Sequence, residues 1–87
     1  MHVTIHTAAV IGEEVSITDA AAKAVRMGFN PSALSRVNRL KALAAAFISE
    51  CDAVAAELPE AGRELAVAKT NMQTASMWSV LGATTGL

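Results

Sequence analysis

Residues 33–58 read ALSRVNRLKALAAAFISECDAVAAEL. Val37, Leu40, Ala44, Phe47, Cys51, Val54 and Leu58 recur here at alternating steps of three and four. That is an apolar seam over about three heptads, the period of a helix packed on a neighbouring helix. The spacing predicts one long helix over about 33–58. At 1.5 Å rise per residue it spans roughly 39 Å. Cys51 falls on the seam and reads as a small buried hydrophobe, not a nucleophile. As the lone cysteine, it excludes an internal disulfide and a cysteine-based zinc site.

Leu58-Pro59-Glu60 breaks this helix and starts another over about 60–81. Proline suits a first helical turn, and Glu60 and Glu64 suit the positive end of the helix dipole. So short a link makes the two helices an antiparallel αα-hairpin. Leu65, Ala68, Met72, Ala75 and Ser79 form the stripe expected to face the long helix. Arg63, Val67, Thr70, Thr74, Met77 and Leu81 share a second face, bordered by Trp78. A hairpin has no use for that face in its own core. It fits a subunit contact or a ligand wall, and spacing alone favours the former.

Upstream, Asp19 is placed to cap a short helix over about 20–27, with Gly28 as a left-handed stop. Asn30-Pro31 interrupts helix, and Pro31 or Ser32 opens the long helix. Val3 and Ile5 alternate with polar neighbours, as do Val15 and Ile17, with Gly12 as a turn between them. A short β-hairpin and an extended arm both fit. His2 and His6 would share a strand face. With no third ligand nearby, a solvated face is favoured over a metal site.

The expected fold is therefore mainly α: an antiparallel hairpin preceded by a short helix and an arm. The 87 residues are read as one domain, with the arm over 1–17 and the helical hairpin domain over 18–87. A chain this short buries only about 60–65% of its unfolded surface. Nineteen residues are alanine, which favours helix but contributes little buried area. So lean a core points to completion by partner subunits, as an oligomeric bundle. No basic region followed by an apolar run marks a leader, and no apolar run approaches the ~20 residues of a membrane helix. A soluble intracellular protein without membrane contact is expected.

Charge is segregated along the chain. Up to Ala22 there are three acids and no base; from Ala42 to Glu64, five acids and one base. Between them Lys23, Arg26, Arg36, Arg39 and Lys41 form an acid-free block around Phe29 and a helix start. Free N–H groups and the dipole already favour anions at a helix start. An aromatic ring with nearby cations suits a stacked base and its phosphate. The residues alone leave an anion site and a solvated basic face about equally open. Ala24, Gly28, Leu34 and Val37 also fit a helix-turn-helix DNA-binding regulator. Against it stand a second helix too long for recognition, a proline in the turn and a net charge of −1. No catalytic motif, phosphate-loop pattern or metal-ligand cluster is present, so neither an enzyme nor a cofactor is expected.

Arg63-Glu64-Leu65-Ala66-Val67-Ala68-Lys69-Thr70, followed by Met77-Trp78, resembles the helical-hairpin family of viral anti-CBASS and anti-Thoeris proteins. The likeness spans roughly Phe29 to Leu81. It implies a phage-encoded sponge in the cytoplasm of the infected bacterial host, one that binds cyclic nucleotide immune messengers without cleaving them. The implied ligands are cyclic di- or trinucleotides or cyclic ADP-ribose isomers. The implied assembly is a homo-oligomer, a hexamer, with pockets between protomers. By position, Arg63 and Thr70 would serve one pocket. Phe29, Asn30, Arg36 and Lys41 are the candidates for the other, with Phe29 stacking a base and Arg36 and Lys41 neutralising phosphate. Gln73, Thr74 and Val80 depart from the family pattern and leave the ligand class open. A purely structural helical oligomerisation module is the remaining alternative.

Overall fold

The computed structural model describes all 87 residues. The order is β1 (His2–Ile5), β2 (Glu13–Ser16), α1 (Asp19–Ala24), α2 (Ser35–Glu57), a 3-10 turn (Pro59–Ala61) and α3 (Gly62–Ala83). The fold is mainly helical, and the arm is a β-hairpin. β1 and β2 pair antiparallel with Val3 opposite Val15. Those two are the half-buried residues of the strands, and both strands pack on α2. Gly12 takes φ +77, the left-handed turn that glycine adopts without steric cost.

α1 starts one residue earlier than the sequence suggests. Thr18, not Asp19, is its cap: the hydroxyl oxygen accepts from the Ala21 N–H at 3.1 Å. Asp19 occupies the first turn, where its charge suits the dipole. The Thr18 N–H donates to Ser49 Oγ at 3.1 Å, and that hydroxyl donates to the Ala45 carbonyl at 2.8 Å. A buried serine on α2 thus ties down the start of α1.

The core lies where α1 meets α2. Ala21, Val25, Ala44, Ala45 and Ile48 form it, with Ile17, Ala24, Met27 and Met72 against its edge. Alanine on both helices lets the backbones approach closely. The expected seam on α2 needs correction. Val37, Ala44 and Cys51 are buried as expected, but Phe47 and Leu58 are exposed. Lys41, Ala45 and Ile48 lie inside instead. A two-helix seam assumes one partner, whereas α2 packs on both α3 and α1. Its buried surface is accordingly rotated toward α1.

α2 and α3 form the hairpin, and Pro59 opens the 3-10 turn between them. On α3 the inward stripe contains Leu65, Ala68, Met72 and Ser79, all half-buried. Ser76 replaces Ala75 as its buried member. The second stripe stands outside the core: Val67, Met77, Trp78 and Leu81 are all exposed. No helix is long and apolar enough to cross a membrane.

Candidate functional site

The connection from α1 to α2 carries the irregular backbone of the molecule. α1 closes with two hydrogen bonds: the Met27 N–H reaches the Ala22 carbonyl at 2.9 Å, and the Arg26 N–H reaches the Lys23 carbonyl at 3.1 Å. This is a Schellman ending, which needs a left-handed residue just past the cap. That residue is Arg26 at φ 54, not Gly28 as the sequence suggests. Ala33 is also left-handed, at φ 52. Left-handed backbone costs a residue with a Cβ about 1–2 kcal/mol. Two such residues within one connection require outside support.

Asn30 and Lys41 supply much of it. The Asn30 side chain accepts from the Leu34 N–H at 3.3 Å and donates to the Leu34 carbonyl at 2.9 Å and to Asn38 Oδ1 at 3.1 Å. Together with Pro31 it delays α2 until Ser35, two residues later than the expected start at Ala33. Lys41 is only 4% exposed. Its Nζ donates to the Arg26 carbonyl at 2.8 Å and to the Phe29 carbonyl. It also stands 5.7 Å from the centroid of the Phe29 ring. Burial, and then the Arg26 charge, hold the Lys41 ammonium below its ordinary pKa.

A cleft of about 400 Å³ opens between this connection and α3. Lys23, Arg26, Phe29 and Lys41 line one wall, and Gln73 and Met77 the other. Phe29 is 62% exposed, so its ring is available to a planar partner. Gln73 Nε2 donates to the Ala24 carbonyl at 3.0 Å and fixes α3 against the end of α1. The two ion pairs of the chain are His2–Glu14 and Lys69–Asp52. Every cation of the basic block therefore lacks an acidic partner.

Phe29 and Lys41 meet in this cleft; the other expected site residues lie elsewhere. Arg36 is on the first turn of α2, and its Nε donates to the Ala83 carbonyl at the end of α3, at 2.7 Å. That contact suits the negative end of the α3 dipole. Arg39 donates to Ser35 Oγ at 2.8 Å. Arg63 is exposed near the start of α3. Thr70 lines a separate hollow of about 360 Å³ between α1 and α3, alongside Lys69 and Gln73. Arg63 and Thr70 are about 10 Å apart along the helix axis.

Lys23, Arg26, Gln73 and Met77 were not among the site residues read from the sequence. Lys23 and Arg26 carried a signal, since both stand in the acid-free block three residues apart. Met77 stands on the second face of α3, which fits a ligand wall, whereas Gln73 carries no such signal, because its part in the cleft depends on how α3 packs against α1.

The arrangement suits binding: unpaired cations, an exposed ring and a hydrogen-bonding wall. Cys51 is buried, and burial followed by the neighbouring Asp52 charge pushes its thiol above the usual range. The histidines sit on the β-hairpin, His2 beside Glu14 at 3.5 Å and His6 Nδ1 accepting from the Gly12 N–H at 3.0 Å. No three His, Cys, Asp or Glu residues come together as a metal site.

A family model described as Acb2/Tad1, hairpin domain, matches residues 19–84. The match covers α1, the connection, α2 and α3, and it contains the Arg63–Thr70 and Met77-Trp78 motifs. No curated protein and no solved structure matches the chain.

Proposed function

We propose that this chain, which belongs to the Acb2/Tad1 hairpin-domain family, is an anti-defence sponge that binds a cyclic nucleotide immune messenger and holds it uncleaved. The family match over residues 19–84 is the observation that carries this reading. The site chemistry supports it, since the cleft offers an exposed ring beside cations without acidic partners. The ligand class is cyclic di- or trinucleotides or cyclic ADP-ribose isomers. Phe29 stacks a base, with Asn30 shaping the turn beneath it. Lys41 places its charge beside the ring from within, and Arg36, outside the cleft against Ala83, adds only to the surrounding positive field. Arg63 and Thr70 serve a second pocket. The exposed Val67, Met77, Trp78 and Leu81 face supports a homo-oligomer whose neighbours close the pockets, and the family resemblance implies that it is a hexamer. The messenger is met in the cytoplasm of an infected bacterium.

Calorimetry with a panel of these messengers tests the reading. At least one is expected to bind more tightly than about 10 μM, near −7 kcal/mol. Heat denaturation of the complex is expected to release it intact. No binding across the panel would refute the sponge, and recovery of a cleaved product would make the protein an enzyme. An assembly module remains the second reading, on the strength of the same exposed face. It predicts a stable oligomer that binds none of the panel.

A further inference from the structure

Lys41 is the one buried cation of the basic block, and its ammonium is turned onto backbone carbonyls. Two of its three donors meet the carbonyls of Arg26 and Phe29, both of which line the cleft. Between them lies a tight corner, left-handed at Arg26 and closed locally by the Phe29 N–H on the Arg26 carbonyl at 3.0 Å. Gln73 holds a third carbonyl of the same corner, that of Ala24. The corner is thus fixed from α2 and α3 together. A phosphate at Lys41 would find one free Nζ hydrogen, and any further contact would compete with the carbonyls that hold the corner. Lys23 and Arg26, in contrast, are exposed at the cleft, and their side chains form no ion pair.

We infer that Lys41 is a positioning residue, which sets Arg26 and Phe29 in place, and that Arg26 with Lys23 makes the anion contact in the cleft. This deepens the sponge reading and rests on it only for the identity of the ligand. The cleft then takes an anion with a planar group: Arg26 and Lys23 meet the phosphate, and Phe29 meets the ring. Lys41 has a reach and a charge suited to this inner role. Its long stem packs through the interior while one ammonium serves two separated carbonyls.

Two experiments test the inference, and their failures are distinguishable. In the ligand-free protein, amide exchange at Phe29 and Met27 is expected to accelerate at least tenfold in Lys41→Met, with exchange at Leu58 and Ala61 unchanged. Equal exchange at the corner in wild type and variant would overturn the positioning role. The anion contact is read by NMR titration with inorganic pyrophosphate and by calorimetry with cyclic di-AMP. Pyrophosphate is expected to shift the Arg26 and Lys23 side-chain signals while the Lys41 Nζ hydrogens keep their slow exchange. Arg26→Gln is expected to weaken cyclic di-AMP at least tenfold with its denaturation midpoint preserved. Loss of slow exchange at Lys41 on adding pyrophosphate, or absence of any shift at Arg26, would overturn the assignment. So would wild-type affinity in Arg26→Gln. A pyrophosphate response at Arg26 with no cyclic nucleotide bound by the wild type would sink the sponge reading and leave this inference standing.

Discussion

The two connections of the helical region differ in how much support they take from side chains beyond their own local bonds. Between α2 and α3, Leu58 and the Pro59–Ala61 turn close the hairpin with local bonds. The Leu58 N–H reaches the Val54 carbonyl at 2.8 Å, and the Ala61 N–H reaches the Leu58 carbonyl at 2.9 Å. Between α1 and α2 there are local bonds too, from the Phe29 N–H to the Arg26 carbonyl and from the Ala33 N–H to the Asn30 carbonyl, each at 3.0 Å. But the backbone there includes two left-handed residues with side chains and takes further bonds from Asn30, Lys41 and Gln73. Two of those three come from distant parts of the chain. A connection whose only task is reversal can be local. One that must present Arg26 and Phe29 to a cleft holds a less favourable backbone and borrows support from elsewhere.

Substitution separates the two connections most sharply. Lys41→Met removes two hydrogen bonds from a charged donor and is expected to cost about 1–3 kcal/mol, less the relief of not burying a charge. Pro59→Ala at the other connection is expected to cost only about 0.5 kcal/mol, chiefly through the freer unfolded chain. Urea denaturation of both variants at one protein concentration checks this. Equal losses would mean that the α1–α2 connection is no more dependent on remote support than the other.

A smaller effect of opposite sign is expected at Ala33. Its φ of 52 is one glycine adopts freely. Ala33→Gly is therefore expected to stabilise by a few tenths to about 1 kcal/mol, the left-handed relief exceeding the added chain entropy. A lower denaturation midpoint would show that the backbone there carries no strain.

The smallest effect is a pH dependence. The folded state holds the Lys41 pKa below its ordinary 10.5, through burial and then Arg26. Between the folded and unfolded pKa values the unfolded chain binds more protons, so stability rises with pH. Below the folded pKa the unfavourable contribution is present in full. It is relieved as pH climbs toward the unfolded value. Relative to Lys41→Met, the wild type is expected to gain stability as pH rises toward the ordinary lysine value. A relative loss would mean that the hydrogen bonds to Arg26 and Phe29 outweigh burial.

Much of the fold was legible because its signals are local or periodic. Pro59 marked the hairpin break, Gly12 the β-turn, and the exposed stripe from Arg63 to Leu81 followed from helical spacing. The errors share a cause. Phe47 was placed inside and Lys41 outside because the seam assumed a single partner for α2. Gly28 is the residue type that suits a left-handed stop, yet Arg26 holds that conformation, with its carbonyl bonded by Lys41. Of the candidate site, Phe29 and the basic block were visible in the sequence. The junction of that block with Gln73 and Met77 was not, since more than thirty positions separate the two walls.

The amino-acid sequence by itself determined the helical hairpin, the segregation of positive charge between Lys23 and Lys41, and the match to the family over residues 19–84. Periodicity, proline placement and charge order are properties of the chain before it folds. Only the tertiary structure decided which cations face the cleft and which face inward. That choice depends on the angle at which α1 crosses α2, set by alanine-lined contacts around Ala21, Ala44 and Ala45. It depends equally on which backbone carbonyls are left for Lys41 to satisfy. Neither follows from residue type, because a buried lysine and a ligand-binding lysine are the same residue in different surroundings.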